Sequence, residues 1–254
     1  MPYAEIRGQR LWYEDIGQGD ALVLLHGFTG TARQHLGHQI DTLGRQYRVI
    51  APDLRGYGRS QPKPRAFGPD FYVQDALDAG ALLDHLGLQR AHVLGYSDGG
   101  ESAILTAVER PDLARSVVAW GVTGVFGPEI SRVAAAYLDL DSWQTARARW
   151  RDEIIANHGA ESFEPMVAGW AMAIQMILAA GGDVSLSQAH AIECPVLLIN
   201  GERDEGNPEY LVRQLAERIP NCTLEVWPGL GHPVHWEAPE QFHARLLAFL
   251  QPCP

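Results

Sequence analysis

The segment Gly95-Tyr96-Ser97-Asp98-Gly99-Gly100 lies where the apolar run Ala91 to Leu94 gives way to a helix-like stretch from Glu101 to Glu109. A strand that becomes a helix within one residue forces that residue into a strained backbone conformation. Its neighbours two positions away on either side must then lack side chains. Gly95 and Gly99 meet that demand. A serine at such a bend stands exposed above the end of the sheet, and its hydroxyl becomes a nucleophile only where a histidine takes its proton. Ser97 would equally serve as an ordinary helix cap, so the rest of the chain decides between the two roles.

Strand and helix alternate around it. Tyr3 to Ile6 and Arg10 to Asp15 read as a hairpin about Gly8, and Ala21 to Leu25 and Tyr47 to Ala51 as buried strands. From Asp70 to Leu86, apolar residues recur at helical spacing until Gly87. After Ser97 the pattern predicts strands at Ser116 to Trp120, Pro195 to Asn200 and Thr223 to Trp227, with helices at Pro208 to Ile219 and Pro239 to Leu250. From about Val122 to Asp183 the alternation breaks, and this stretch is expected to be helical throughout. The division is therefore a core of 1–121 and 184–254 carrying a helical cap, 122–183. Repeated strand-helix units imply an α/β fold, a mostly parallel sheet with helices on both faces and a site at the carboxyl ends of its strands.

At 254 residues the chain suits one large domain, and no polar linker divides it. A net charge of −11 argues against nucleic acid or an anionic membrane as partner and favours neutral or cationic small molecules. Met1 to Arg10 lacks a basic-then-apolar pattern, and the apolar stretch Ala168 to Ala180 is interrupted by Gln175 and short for a bilayer span. Cys194, Cys222 and Cys253 have neither disulfide-framework nor zinc spacing. A cytoplasmic location without metal or cofactor is expected; the oligomeric state is left open.

The candidate partners of Ser97 fall at strand ends, on the rim where Ser97 itself is expected. Asp204 follows the run Val196 to Asn200, and His232 lies in the loop Pro228-Gly229-Leu230-Gly231-His232-Pro233. Imidazole titrates near neutrality without help, which makes His232 the candidate base. Asp204 would orient its ring, with Glu202 and Glu205 in the same loop open as alternatives. His232 and His235 lie three apart, but no cysteine or carboxylate cluster accompanies them as a metal site would need. An oxyanion needs two backbone donors: the amide of Asp98, at the start of a helix, and that of Phe28, after His26-Gly27. Trp120, Trp143, Trp170 and Met172, with Trp150 and Met176, are expected to shape an apolar substrate pocket, or else to form the core of the cap.

The stretches LLHGF (24–28), APDLRGYGRS (51–60), GYSDGG (95–100), CPVLLINGERD (194–204) and GLGHPVHWEAPE (229–240) resemble the α/β-hydrolase superfamily over nearly the full chain. The order Ser97, Asp204, His232 is the one that superfamily uses. Ser97-Asp98-Gly99-Gly100 is most similar to the biphenyl hydrolase-like, or valacyclovir hydrolase, group. That group cleaves α-amino acid esters, and the acid after its nucleophile contacts the substrate amine. The resemblance thus implies an ester hydrolase working through an acyl-enzyme, with Asp98 as amine anchor. A helix-end role for the Asp98 side chain stays open, as do hydrolysis of a carbon–carbon bond in a meta-cleavage product, perhydrolase or acyltransferase activity, and a ligand receptor built on a hydrolase fold.

Overall fold

Along residues 3–251, which the computed structural model describes, strands pair into one sheet: β1 (Tyr3–Ile6), β2 (Gln9–Ile16), β3 (Ala21–Leu25), β4 (Arg48–Pro52), β5 (Ala91–Tyr96), β6 (Ala114–Trp120), β7 (Val196–Gly201) and β8 (Cys222–Trp227). Cys253 lies outside the described residues. The order in space is β1-β2-β4-β3-β5-β6-β7-β8, antiparallel at the two pairs involving β2 and parallel from β4 to β8. The parallel strands therefore all end at one rim, which is where the loops carrying Phe28, Ser97, Asp204 and His232 begin.

The helices are α1 (Ala32–Leu43), α2 (Phe71–His85), α3 (Asp98–Glu109), α4 (Pro128–Tyr137), α5 (Leu140–Gln144), α6 (Ala148–His158), α7 (Ala160–Ala179), α8 (Glu209–Arg218), α9 (Val234–Glu237) and α10 (Pro239–Leu250). Strands covered on both faces need apolar side chains at every position, hence the unbroken run Ala-Leu-Val-Leu-Leu of β3. Val23, Val93, Val117 and Ala119 pack with α2, α3 and α8, whereas Leu22, Leu94, Val118 and Trp120 pack with α1 and α10. Helix α1 is an element the sequence pattern did not predict. Its apolar stripe is thin, Ala32, Leu36, Ile40 and Leu43, and Thr31 caps it by accepting the Gln34 amide at 3.1 Å.

Between β6 and β7 the chain is not helical throughout. The first helical residue is Pro128, and the segments leading in and out form a neck. There Val125 bridges Asp183, the Phe126 amide donates to Gly182 O at 2.7 Å, and the amides of Val184, Ser185 and Leu186 converge on Gly124 O. Glu101 of α3 closes the neck from beneath. Its Oε1 accepts the amides of Thr123 (2.9 Å) and Gly124 (2.8 Å), and Oε2 accepts the Ser185 hydroxyl (3.1 Å). Helix α7 is by length and composition apolar enough to cross a membrane, yet half of that stretch is buried in the fold. Met166, Val167, Trp170, Ala173, Ile174 and Ile177 form its inward face.

Candidate active site

Ser97 occupies the left-handed region, with φ 55° and ψ −122°. Such a conformation costs a non-glycine residue on the order of 1–3 kcal/mol. Its surroundings enforce it: the Ser97 amide donates to Trp120 O at 2.9 Å, and its carbonyl accepts from Gly100 (2.8 Å) and Glu101 (3.0 Å). A Cβ on Gly95 would stand 2.0 Å from Gly99 O, and one on Gly99 would stand 2.2 Å from Leu25 O. Glycine at both positions is thus a steric requirement of the bend.

The structure brings Ser97, His232 and Asp204 together. His232 Nε2 lies 2.9 Å from Ser97 Oγ, and His232 Nδ1 lies 2.6 Å from Asp204 Oδ2. An ionised carboxylate only accepts, so Nδ1 carries the ring proton and Nε2 presents its lone pair to the serine. Asp204 Oδ1 also accepts the amides of Gly206 and Asn207, each at 3.1 Å, and Oδ2 accepts Asn207 Nδ2 at 3.1 Å. Glu202 turns away to accept the Gly229 amide, while Glu205 lies in the pocket wall. Burial raises the Asp204 carboxyl, but the His232 charge and the donors around it hold it below its ordinary value. Burial likewise works against protonation of His232, and the charge and hydrogen bond of Asp204 outweigh it, so the imidazole titrates above 6.5.

Phe28 and Asp98 both line this cavity, and neither backbone amide has an acceptor among the described residues. The loop bearing Phe28 is held tightly. His26 donates from Nδ1 to Gly27 O (2.9 Å) and accepts the Leu54 amide at Nε2 (2.9 Å). Thr29 has φ 63°, a strained value for a β-branched residue. Residues from the insertion keep it there, since Trp150 Nε1 donates to Thr29 Oγ1 at 3.1 Å and His158 Nε2 to Thr29 O at 2.7 Å.

Asp98 is 6% exposed, and its carboxylate is satisfied by two neutral donors: Tyr72 OH to Oδ1 at 2.8 Å and Trp170 Nε1 to Oδ2 at 3.0 Å. Burial pushes its carboxyl up to about 7 against these donors and the more distant Arg65. It forms no ion pair among the described residues. The cavity in front of it measures about 630 Å³, with aromatic walls that include Phe28, Tyr137, Trp150 and Trp170. Its lining holds five carboxylates, of Asp98, Glu101, Glu153, Asp204 and Glu205, against the single guanidinium of Arg203.

Four expected pocket residues, Trp120, Trp143, Met172 and Met176, lie elsewhere, whereas Trp150 and Trp170 line the cavity. Trp120 is 0% exposed beneath the sheet, packed on Phe242 with its Nε1 donating to His235 Nδ1 at 3.0 Å. The alternation along β6 sends its side chain to the α10 face. Trp143 is buried in the core of the insertion, donates to Tyr137 O at 2.8 Å and packs at a tilt against Trp150, with ring centroids 4.9 Å apart, so it supports the pocket wall from behind. Met172 is 61% exposed, on the outer face of α7 with Met176 one turn further on. His235 uses both ring nitrogens in protein hydrogen bonds, to Trp120 and to His35 O. Residue reasoning missed Tyr72 and Asn207. Asp204-Glu205-Gly206-Asn207 is a sequence that favours an Asx turn, the signal by which Asn207 was findable; nothing in the sequence aims Tyr72 at Asp98.

Comparison with known proteins gives a consistent picture. A model of the alpha/beta hydrolase family matches residues 22–245. Serine hydrolase BPHL of Homo sapiens is 29% identical over 249 residues, covering 97% of this chain and 84% of that one. A putative carbamate hydrolase RutD of Caulobacter sp. (strain K31) is 30% identical over 259 residues, covering 94% and 95%. Among solved structures, a meta-cleavage product hydrolase from Pseudomonas fluorescens IP01 superposes with a TM-score of 0.77 at 23% identity, covering 97% and 96%, a likeness of fold.

Proposed function

The chain belongs to the alpha/beta hydrolase family, and from that premise we propose that it is a serine hydrolase that cleaves carboxylic esters of α-amino acids through an acyl-enzyme. The observation that carries the ester reading to this substrate class is the buried Asp98 carboxylate. It stands one residue from the serine, lines the cavity and has no cationic partner among the described residues. A unit negative charge about 6 Å from a developing oxyanion would raise its energy by roughly 2–3 kcal/mol at an effective dielectric near 20. A substrate ammonium beside Asp98 cancels that penalty, whereas the dienoate anion of a meta-cleavage product would add to it. The surplus of carboxylates in the lining supports the same choice.

In this reading catalysis runs on Ser97, His232 and Asp204. His232 Nε2 takes the Ser97 proton as Oγ attacks the ester carbonyl, and the amides of Phe28 and Asp98 receive the oxyanion. Imidazolium, stabilised by Asp204, protonates the departing alkoxide; the same imidazole next activates water to release the amino acid and restore Ser97. The test is kcat/KM at pH 8 for a phenylalanine ester and for its des-amino analogue, in the native protein and in Asp98→Asn. The native protein should favour the amino ester. Asp98→Asn should lose about 10- to 1000-fold on that ester alone, the range of a partly desolvated charge pair. An equal effect on the two esters would leave a general carboxylesterase, and no turnover of either would remove the hydrolytic reading of Ser97.

A further inference from the structure

The Asp98 carboxylate is unusual in what satisfies it. Buried carboxylates normally meet a cation, because two ions taken out of water together cost less than one alone. Here the guanidinium whose charge Asp98 feels, Arg65, is committed elsewhere: it bonds Asp75 Oδ2 at 2.8 Å and Arg55 O at 2.8 Å. The two groups that reach Asp98 are neutral and arrive from distant parts of the chain, Tyr72 from the first turn of α2 and Trp170 from the middle of α7. Both are nearly inaccessible to solvent. Neutral donors orient a carboxylate without pairing it, so once ionised it keeps its charge for whatever enters the cavity.

The two donors differ. A phenol hydroxyl can donate or accept, but an indole N–H only donates. Trp170 therefore commits Oδ2 to the role of acceptor. Its ring is fixed in turn by stacking on Phe28 at 4.6 Å and by Tyr137 at 5.4 Å. The wall beside the nucleophile and the orientation of the acid after it thus share one side chain.

Resting on the amino ester reading above, we propose that Tyr72 and Trp170 are positioning residues that hold Asp98 as an uncancelled acceptor. Selection for a substrate ammonium then depends on helix α7 being seated over the sheet. Other ionisable groups also feel Asp98. Arg65 and Asp75 act on it from the α2 side, Tyr57 from the buried segment after β4, Tyr96 and Tyr137 from around the cavity, and His232 from across the serine. None of these donates a hydrogen bond to it. Removing a donor should therefore change Asp98 while leaving the relay between Ser97 and His232 in place.

Trp170→Phe keeps an aromatic ring against Phe28 and deletes the N–H; Tyr72→Phe deletes only a hydroxyl. The assay is the pH profile of kcat/KM between pH 5.5 and 9 for the phenylalanine ester and its des-amino analogue, run beside the native protein and Asp98→Asn. Each variant should move the acid limb of the amino ester upward by about one unit and lose roughly fivefold on it at pH 7, approaching tenfold at lower pH. The ratio of amino to des-amino kcat/KM at pH 7 should fall with it, whatever the altered cavity wall does to both esters alike. A structural role would lower both esters together and leave the limb where it was, and that result in both variants overturns the proposal. If Asp98→Asn abolishes the preference for the amine while neither donor variant moves it, the proposal fails and the amino ester reading stands. If the native protein shows no preference for the amine, both fall.

Discussion

Replacing Asp204 by asparagine should cost roughly 10³ to 10⁴ in kcat, and the loss follows from which atoms surround the carboxylate. Oδ1 faces two backbone amides, of Gly206 and Asn207, which cannot rotate away. The carbonyl oxygen of the introduced side-chain amide would settle against these donors, and its NH₂ would face His232 Nδ1. That nitrogen must then accept, so the ring proton moves to Nε2 and the imidazole offers Ser97 Oγ a donor where it needs an acceptor. Restoring the working tautomer breaks about two neutral hydrogen bonds, or roughly 1–3 kcal/mol. Losing the attraction between carboxylate and imidazolium adds a few kcal/mol at an effective dielectric near 20. Together these give about 4–5.5 kcal/mol, the stated loss in rate. The measurement is kcat for para-nitrophenyl acetate at pH 8, with the melting temperature as a check that the fold is kept. A folded Asp204→Asn protein that retains more than about a tenth of native activity would refute the tautomer argument and give the orienting role to another group.

Three further outcomes are expected. In Asp98→Asn, where no charge titrates beside the serine, turnover of a neutral ester should rise with pH through a single ionisation above the ordinary imidazole value, because the base acts when neutral and Asp204 favours its charged form; a flat rate from pH 5 to 8 would contradict His232 as the base. A carboxyl raised from 3.8 to about 7 in the fold binds its proton more tightly when folded. Asp98 therefore takes stability away as pH climbs between those values, by up to about 4 kcal/mol above them. Asp98→Asn should accordingly melt several degrees higher at pH 8 and near the native temperature at pH 4, and an equal shift at both pH values would be inconsistent with a buried charge. Glu101→Ala leaves the amides of Thr123 and Gly124 and the Ser185 hydroxyl without their acceptor, a loss of about 3 kcal/mol or more. Urea titration checks it, and a change below about 1 kcal/mol would show the neck to be held by other contacts.

Reading by sequence succeeded where local chemistry leaves a mark. Gly95 and Gly99 are forced by contacts within a few residues of Ser97 or on the adjacent strand, so the bend was visible without knowing the fold. Asp204 and His232 followed because loops after parallel strands share a rim. Trp120 was misplaced although the information was present: Val118 and Trp120 must point the same way, and that way is toward Phe242 rather than the cavity. Met172 was misplaced for a related reason, since Trp170, Ala173, Ile174 and Ile177 define the inward face of α7 and Met172 falls off it. Helix α1 escaped because polar and histidine residues dilute its stripe, although Thr31 and Gln34 carry the spacing of a capping box. The contact of Tyr72 with Asp98 joins residues 26 apart through the packing of α2 on α3, and no periodicity encodes such a meeting.

The narrow neck beneath the inserted helices has a consequence for how proteins built this way diversify. The chain leaves the sheet after Trp120, passes Gly124, and returns at Val184 to bond the Gly124 carbonyl. Whatever polypeptide hangs between, its ends are already tied, so doubling or halving its length alters the closure entropy by only about 0.6 kcal/mol. The pendant portion is then free to drift, or to be exchanged whole, without any change in the strand ends that carry Ser97, Asp204 and His232. Phe28, Thr29, Gln34, Gly58, Lys63 and Asp98 are among the points where a transplanted insertion would have to find new partners, because the present one reaches them through Trp150, Asn157, His158 and Trp170. Grafting would thus be limited by these few docking contacts and hardly at all by chain connectivity.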